Sequence, residues 1–351
     1  MEKVVTFMTP VTAYAYPRAA LIGNPSDGYY GKTISFVFSN YHAFATVEES
    51  EKLCIVPGAR DVNEFDGLEE FAEHTGSFGY YGGLRLLKAA LSRFWFHCRK
   101  HNIRLPKRNF SLSYGSDIPN QLGLAGSSAI ITAALRAVCT FFGVEIADAE
   151  FANVVLAAEK EELHIPAGLQ DRVAQAYNFP VFMDFDRSRM EIFGYGRYEE
   201  VPLPPELNIF IAYRTDLAEG SEILHSRLRA DYNAGKVEVL AAVKEWAQLT
   251  DKCRKCLISG DLTEIPSLIN RNFDLRLEVC ADSISEGNLR MVQIARSCGA
   301  SAKFTGSGGA IVGTCGDAGL VEMREKFKEF GVVVFRPEIV RAGGEAWRTL
   351  Q

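Results

Sequence analysis

The stretch GLAGSSA, residues 123–129, sets two glycines and two serines directly ahead of the alanine-rich apolar run IITAALRAV. Gly123 and Gly126 admit backbone conformations closed to other residues, so successive N–H groups can turn into one concavity that suits an anion. Ser127 or Ser128 can cap the helix that the apolar run predicts. The unpaired N–H groups of its first turn and the helix dipole would then favour a phosphate, and a hydroxyl there can also reach a metal ion. A capped core helix behind a tight turn would look the same. The chain has no GxxxxGK[ST], hence no P-loop lysine.

Two further stretches have the composition of a binding site. In YPRAALIGNPSDGYYGKTIS, residues 16–35, a strand-like run ends in Gly23, and Asn24, Pro25, Ser26, Asp27 and Gly28 follow in a turn that presents its side chains. In SAKFTGSGGAIVGTC, residues 301–315, Gly306, Gly308 and Gly309 form a second glycine loop just ahead of a strand. Two such loops could grip one ligand. Cys253 and Cys256 make a CxxC, but no second pair follows at zinc-ribbon spacing, so a structural role is expected. The six histidines show no HExxH and no paired metal spacing, and they too are read as structural.

The elements that must position these stretches read as mixed α and β. Alternating apolar and polar positions predict strands in TISFVFSNYHAFATVEE (33–49) and FSLSYGSDI (110–118). Leu84, Leu87, Leu91 and Phe94 recur at helical spacing. So do Phe151, Val154, Val155 and Ala158, with Asp148 placed to help cap that second helix. FPVFMDFD (179–186) and RMEIFGYG (189–196) read as strands. Three prolines between residues 202 and 205 then break any central element and mark a domain boundary. Beyond them come strand-like LNIFIAY, helices from about Leu217 to Cys280 and from Glu286 to Cys298, the strand GAIVGTC, the helix AGLVEMREKFKEF and the strand VVVFRPEI. Helices packed on a small antiparallel sheet are the assembly expected there, within an α+β fold. The domains are placed at residues 1–204 and 205–351.

Composition bounds the function class. At 351 residues, 47% hydrophobic and 23% charged, the chain suits two ordinary globular domains. A net charge of −6 with scattered basic residues offers no footprint for nucleic acid or an anionic membrane, which leaves small-molecule chemistry. Eight cysteines, several inside apolar patterns, suit reduced thiols. No secretory signal or membrane span is read, so a cytoplasmic location is expected.

The three stretches, in their order along the chain, resemble the three signature motifs of the GHMP small-molecule kinases. The strings LIGNPSDGYYGKTIS, GYYGGLRLL, GLAGSSAI and ASAKFTGSGGA are most similar to the glucuronokinase branch of that family. The resemblance implies a two-domain fold, with a ribosomal S5 domain 2-like N-terminal domain and a ferredoxin-like C-terminal domain. It also implies ATP and Mg2+ as cofactors and a sugar acid as acceptor, phosphorylated at its anomeric hydroxyl. By resemblance, Gly123, Leu124, Ala125, Gly126, Ser127 and Ser128 form the phosphate loop, joined by Thr305, Gly306, Ser307 and Gly308. Ser128 and Glu159 would be the magnesium ligands, and Asp171 the catalytic aspartate with Arg18 beside it.

Chemistry is compatible with each assignment. Magnesium takes hard oxygen ligands and few protein groups, so a serine and a glutamate suffice. Without the motif, Glu159 reads as a solvated charge beside Lys160, Glu161 and Glu162. Asp171, expected in a short loop after Pro166 and Gly168, could meet a substrate hydroxyl as general base, or be only a turn residue or helix cap. By the same resemblance Asp27 aligns with a carboxylate that binds sugar hydroxyls. Asn24 stands where the galactokinase branch carries a glutamate, and an amide can donate to a uronate that a glutamate would repel. Arg172 has the guanidinium fork for such a carboxylate. Lys32 and Arg85 are alternatives to it, and Arg172 could instead hold Asp171. Glucuronate is the expected substrate; other readings are galacturonate, arabinose, a neutral hexose or a non-catalytic sensor.

Overall fold

Pro17 divides two short strands that go to different sheets. In the computed structural model, which describes residues 9–78, 82–120, 122–214 and 221–341 apart from the side chains of 77, 78 and 221–226, β1 (Val11–Ala15) and β2 (Arg18–Ile22) flank it. Expectations for residues 1–8, for Tyr80 and Tyr81 at a helix start, and for Leu217 to Gly220 lie outside the described residues. One sheet has the order β1-β4-β6-β5, with β4 (Ala43–Ser50), β5 (Cys54–Ile55) and β6 (Asn109–Ser116); only β5 and β6 run parallel. The second has the order β2-β3-β7-β8, with β3 (Lys32–Val37), β7 (Val181–Asp184) and β8 (Arg197–Glu200), all antiparallel.

The segment 33–49 is therefore two strands in two sheets. β3 is almost wholly buried, whereas β4 alternates until its exposed end, so a single pattern had joined elements with different surroundings. RMEIFGYG corrects the expectation more sharply. It forms α6 (Arg187–Phe193), with Asp186 accepting from the Arg189 N–H, and Ile192 and Phe193 are exposed. No buried face rewards an extended chain there, and the cap decides for helix.

Among the helices before the proline link are α1 (Leu68–Phe78), α2 (Leu84–Lys100), α3 (Gly126–Phe142), α4 (Asp148–Ala157) and α5 (Leu169–Tyr177). Ala147, not Asp148, occupies the N-cap position of α4; Asp148 is its first residue, where a carboxylate still meets the dipole favourably. α3 packs on β1 and β4 and against α2 and α5. Its alanines 129, 133, 134 and 137 are buried and let these neighbours approach closely. His97 in the last turn of α2 and His101 just past its end stand one turn apart, with ring centroids 4.4 Å apart and Glu150 at 3.5 and 2.9 Å. The paired spacing denied to the histidines is thus present.

After the link, β9 (Ile209–Tyr213), β10 (Lys303–Phe304), β11 (Ala310–Thr314) and β12 (Val333–Phe335) form a sheet of order β10-β11-β9-β12. Between β9 and β10 run α7 (Ser221–Asn233), α8 (Val237–Ser259), α9 (Ile265–Cys280) and α10 (Glu286–Ser297), and α11 (Asp317–Lys328) precedes β12. The path is β-α-β-β-α-β, the ferredoxin-like arrangement. No helix among the described residues is long and apolar enough to cross a membrane.

α8 and α9 also hold the turn that follows β2. Trp246 is fully buried and donates from Nε1 to the Asn272 carbonyl at 2.9 Å. Asn272 in turn accepts from Gly23 N at 2.6 Å and donates to the Asn24 carbonyl at 3.0 Å. Trp246→Ala leaves a large cavity and is expected to cost about 3–5 kcal/mol in a urea titration. A loss under about 1 kcal/mol would contradict this account of the core.

Candidate active site

The loop ahead of α3 is wound for an anion. Gly123 and Ala125 both have left-handed φ, +65° and +64°, and no side chain caps the helix that starts at Gly126. For Ala125 that conformation is uncommon, and such strain gathers at functional loops. The amides at the start of α3 are left for a ligand, with the dipole behind them. The expectation that Ser127 or Ser128 caps α3 is corrected, because Ala125 holds the cap position. Ser128 is buried, 1% exposed, and its hydroxyl donates back to the Ala125 carbonyl at 3.1 Å, while Ser127 is exposed. Donating that proton leaves the Ser128 oxygen its lone pairs, so the hydroxyl keeps the capacity to meet a metal ion expected of it.

The second glycine loop lies against the first. A Cβ on Gly123 would come within 3.1 Å of the Ser307 amide nitrogen and 3.4 Å of the Gly306 Cα. Arg276 of α9 holds this loop from behind, donating to the Gly306 and Ser307 carbonyls at 3.0 and 2.5 Å. Gln175 of α5 fixes the first loop, donating to the Ala125 carbonyl at 2.9 Å and to that of Tyr16 at 3.0 Å. Neither residue emerged from the sequence. Gln175 stands one helical turn beyond Asp171, which was a usable signal; Arg276 had none.

The acids converge through buried arginines. α4 passes into a π-helical turn, Ala158–Glu162, a wider winding that often marks function. Glu159 there is 1% exposed, so it is not a solvated charge; its solvent-side neighbours Glu161 and Glu162 pair with Arg93 at 2.8 Å each. Burial pushes the Glu159 carboxyl above its ordinary range, against the pull of the Arg172 guanidinium. Arg172 donates from Nε to Glu159 at 2.6 Å and also lies 3.2 Å from Asp171. Its fork is thus committed to the two acids, the alternative the sequence had kept open, and not to a ligand carboxylate.

Asp171 sits in the first turn of α5, not in a loop, and Arg18 at the start of β2 donates to it. The other arm of Arg18 donates to the Thr305 carbonyl at 2.6 Å, and the Arg18 amide donates to the Leu124 carbonyl at 3.0 Å. Arg18 therefore ties the acid to both glycine loops. Lys32 is paired with Asp184 and Asp251 at 3.4 and 2.8 Å, and Arg85 is the second residue of α2.

The turn after β2 borders the same acids. Gly23, with φ +98°, has no room for a side chain, since a Cβ would meet the Lys32 carbonyl at 2.1 Å. Asn24 is 6% exposed and its Oδ1 is buried without a partner. Asp27 approaches Gly168, where a Cβ would lie 3.3 Å from its Oδ2. Burial, and next the Asp171 charge, push its carboxyl up to about 7. At neutral pH it can both donate to and accept from hydroxyls.

Residues 85–179 match the family model of the GHMP kinases N terminal domain, and residues 253–333 that of the GHMP kinases C terminal. The protein described as probable glucuronokinase 2 of Arabidopsis thaliana is 40% identical over 91% of this chain and 89% of its own length. Glucuronokinase 1 of the same plant is 40% identical over 86% and 84%. The crystal structure of Lactococcus lactis galactokinase complexed with galactose superimposes with a TM-score of 0.72 at 15% identity, covering 95% of this chain and 94% of that one.

The state of Asp27 has a measurable consequence. From about pH 4 to about pH 7 the folded protein keeps a proton that the unfolded chain releases, so this group lowers stability as pH rises through that window. Asp27→Asn removes the effect. Its stability relative to the wild type is expected to be about 2 kcal/mol more favourable at pH 8 than at pH 5.5 in paired urea titrations. Parallel behaviour at both pH values would mean Asp27 titrates like an ordinary carboxylate.

Proposed function

The chain belongs to the GHMP kinases, and we propose that it transfers the γ-phosphoryl group of ATP to the anomeric hydroxyl of D-glucuronate, giving D-glucuronate 1-phosphate and ADP. The observation that carries this reading is 40% identity to two plant glucuronokinases over 91% and 86% of the chain. The site chemistry supports it. Asn24 replaces a fixed negative charge with an amide that tolerates a uronate.

In this reading the triphosphate rests on the amides from Gly123 to Ser128, and the loop from Thr305 to Gly308 closes its other side. The donor set suits Mg2+, whose hard-oxygen preference is met by the Ser128 hydroxyl and the Glu159 carboxylate. Bound there, the ion would offset charge on the β- and γ-phosphates. Arg172 orients Glu159 and Asp171 together. Asp171 accepts the proton of the sugar O1 as that oxygen bonds to phosphorus, and the bond to the β-phosphate oxygen breaks, ADP leaving with the electron pair. The anomeric hydroxyl is more acidic than an ordinary alcohol, which eases the transfer to a carboxylate. Arg18 is a fixed cation beside the developing charge, and positioning plus electrostatics supply most of the rate. Asp27 and Asn24 hold the sugar hydroxyls. The domain boundary is placed at residues 204 and 205, between the last strand of the second sheet and the first of the third.

With purified protein, MgATP and candidate sugars, glucuronate is expected to turn over faster than galactose, galacturonate or arabinose, with a 1-phosphate identified by phosphorus NMR. Faster galactose phosphorylation would reject the uronate reading. Asp171→Asn is expected to bind ATP normally and to lose at least about two orders of magnitude in kcat, the usual scale of general-base catalysis. Near-normal turnover would remove Asp171 from the mechanism.

A further inference from the structure

If the substrate is a uronate, its carboxylate needs a cation, and the arginine expected from the sequence is taken. Arg172 is enclosed between Glu159 and Asp171. Most other cations around the cleft are also committed: Arg18 to Asp171, Lys32 to Asp184 and Asp251, and Arg276 to the carbonyls of the second glycine loop. Arg227 of α7 pairs with Asp282 at 2.8 Å.

Arg229, two residues along α7, is different. It is exposed, and no carboxylate among the described residues pairs with it. Its Cζ lies 4.6 Å from the centroid of the Tyr29 ring, a cation–π contact that holds the guanidinium in place without a carboxylate. Nη2 also stands 3.3 Å from the point where a Cβ on Gly28 would be, so Gly28 lets the guanidinium come down onto the turn that carries Asn24 and Asp27. The same turn holds two buried polar atoms that lack partners, Asn24 Oδ1 and the Tyr29 hydroxyl. Unsatisfied buried groups of this kind call for a ligand or ordered water.

Resting on the glucuronate reading above, we propose that Arg229 is the carboxylate-binding subsite of this protein. Its fork makes a bidentate, charge-assisted contact with the sugar acid, while Asn24 and Asp27 hold the same molecule from the floor of the turn. Selection for a uronate then comes from a guanidinium that no carboxylate among the described residues claims, rather than from the catalytic acids and the arginines that hold them. A lysine at this place would keep the charge and lose both the planar fork and the stacking on Tyr29.

The test is selectivity. In Arg229→Gln, the ratio of kcat/KM for glucuronate to that for galactose is expected to fall on the order of 10- to 100-fold, mainly through the glucuronate KM. Arg229→Lys should recover only part of it, and Arg227→Gln on the same helix should keep the wild-type ratio. An unchanged ratio in Arg229→Gln, or an equal fall in Arg227→Gln, overturns the proposal. Should the wild type phosphorylate no glucuronate, the function reading falls by itself. Arg229 is then judged by calorimetric titration with glucuronate and galacturonate: binding that Arg229→Gln abolishes upholds the subsite, while no binding by the wild type, or equal binding by the variant, rejects it.

Discussion

The site depends on the placement of one buried guanidinium, that of Arg18. It reaches Asp171 with one arm and the Thr305 carbonyl with the other, and its backbone amide is bonded to Leu124. Three separate regions of the chain, the first glycine loop, the second glycine loop and the acid on α5, are thereby referred to a single residue. A charge so buried, 4% exposed, is tolerable only because its partners are fixed.

From Asp171 the pairing continues through Arg172 to Glu159, so two acids and two arginines form one line across the cleft. Such a line is expensive to desolvate and contributes little net stability; what it supplies is position. Groups that must face a phosphoryl transfer need fixed directions more than they need binding energy, and each carboxylate here is oriented by a guanidinium that is itself oriented by backbone carbonyls. Arg172, for instance, also donates to the Gly168 carbonyl at 3.0 Å. The π-helical turn belongs to the same scheme, since it puts Glu159 on the buried side while its neighbours stay in water.

Much of this was legible in the sequence wherever the signal was local. The glycine-serine run announced both the loop and α3, and hydrophobic spacing gave α2 and α4; the polar turn after Gly23 was expected to present its side chains, but Asn24 and Ser26 are buried in it. What failed was whatever depends on distant partners or on the handedness of one residue. Ser127 and Ser128 are equivalent in composition, and only the left-handed Ala125 decides which hydroxyl turns inward. Arg172 carries the right chemistry for a sugar acid, yet Glu159 thirteen positions earlier claims it. Arg18 and Asp171 are 153 positions apart, and no spacing rule joins them. The strand expected at 189–196 failed for a different reason: alternation was present without any surface to bury it.

The early strands β2 and β3 are completed by residues from much later in the chain. The Ala20 amide donates to the Thr305 carbonyl at 3.1 Å, and Phe38 just past β3 forms a bridge with Ile339. During synthesis these groups stay bonded to water until residues 305 and 339 have been added and folded back. A nascent chain thus carries an open sheet edge at β2 until then, and one stopped before residue 305 could not seal it, whatever the quality of its own core.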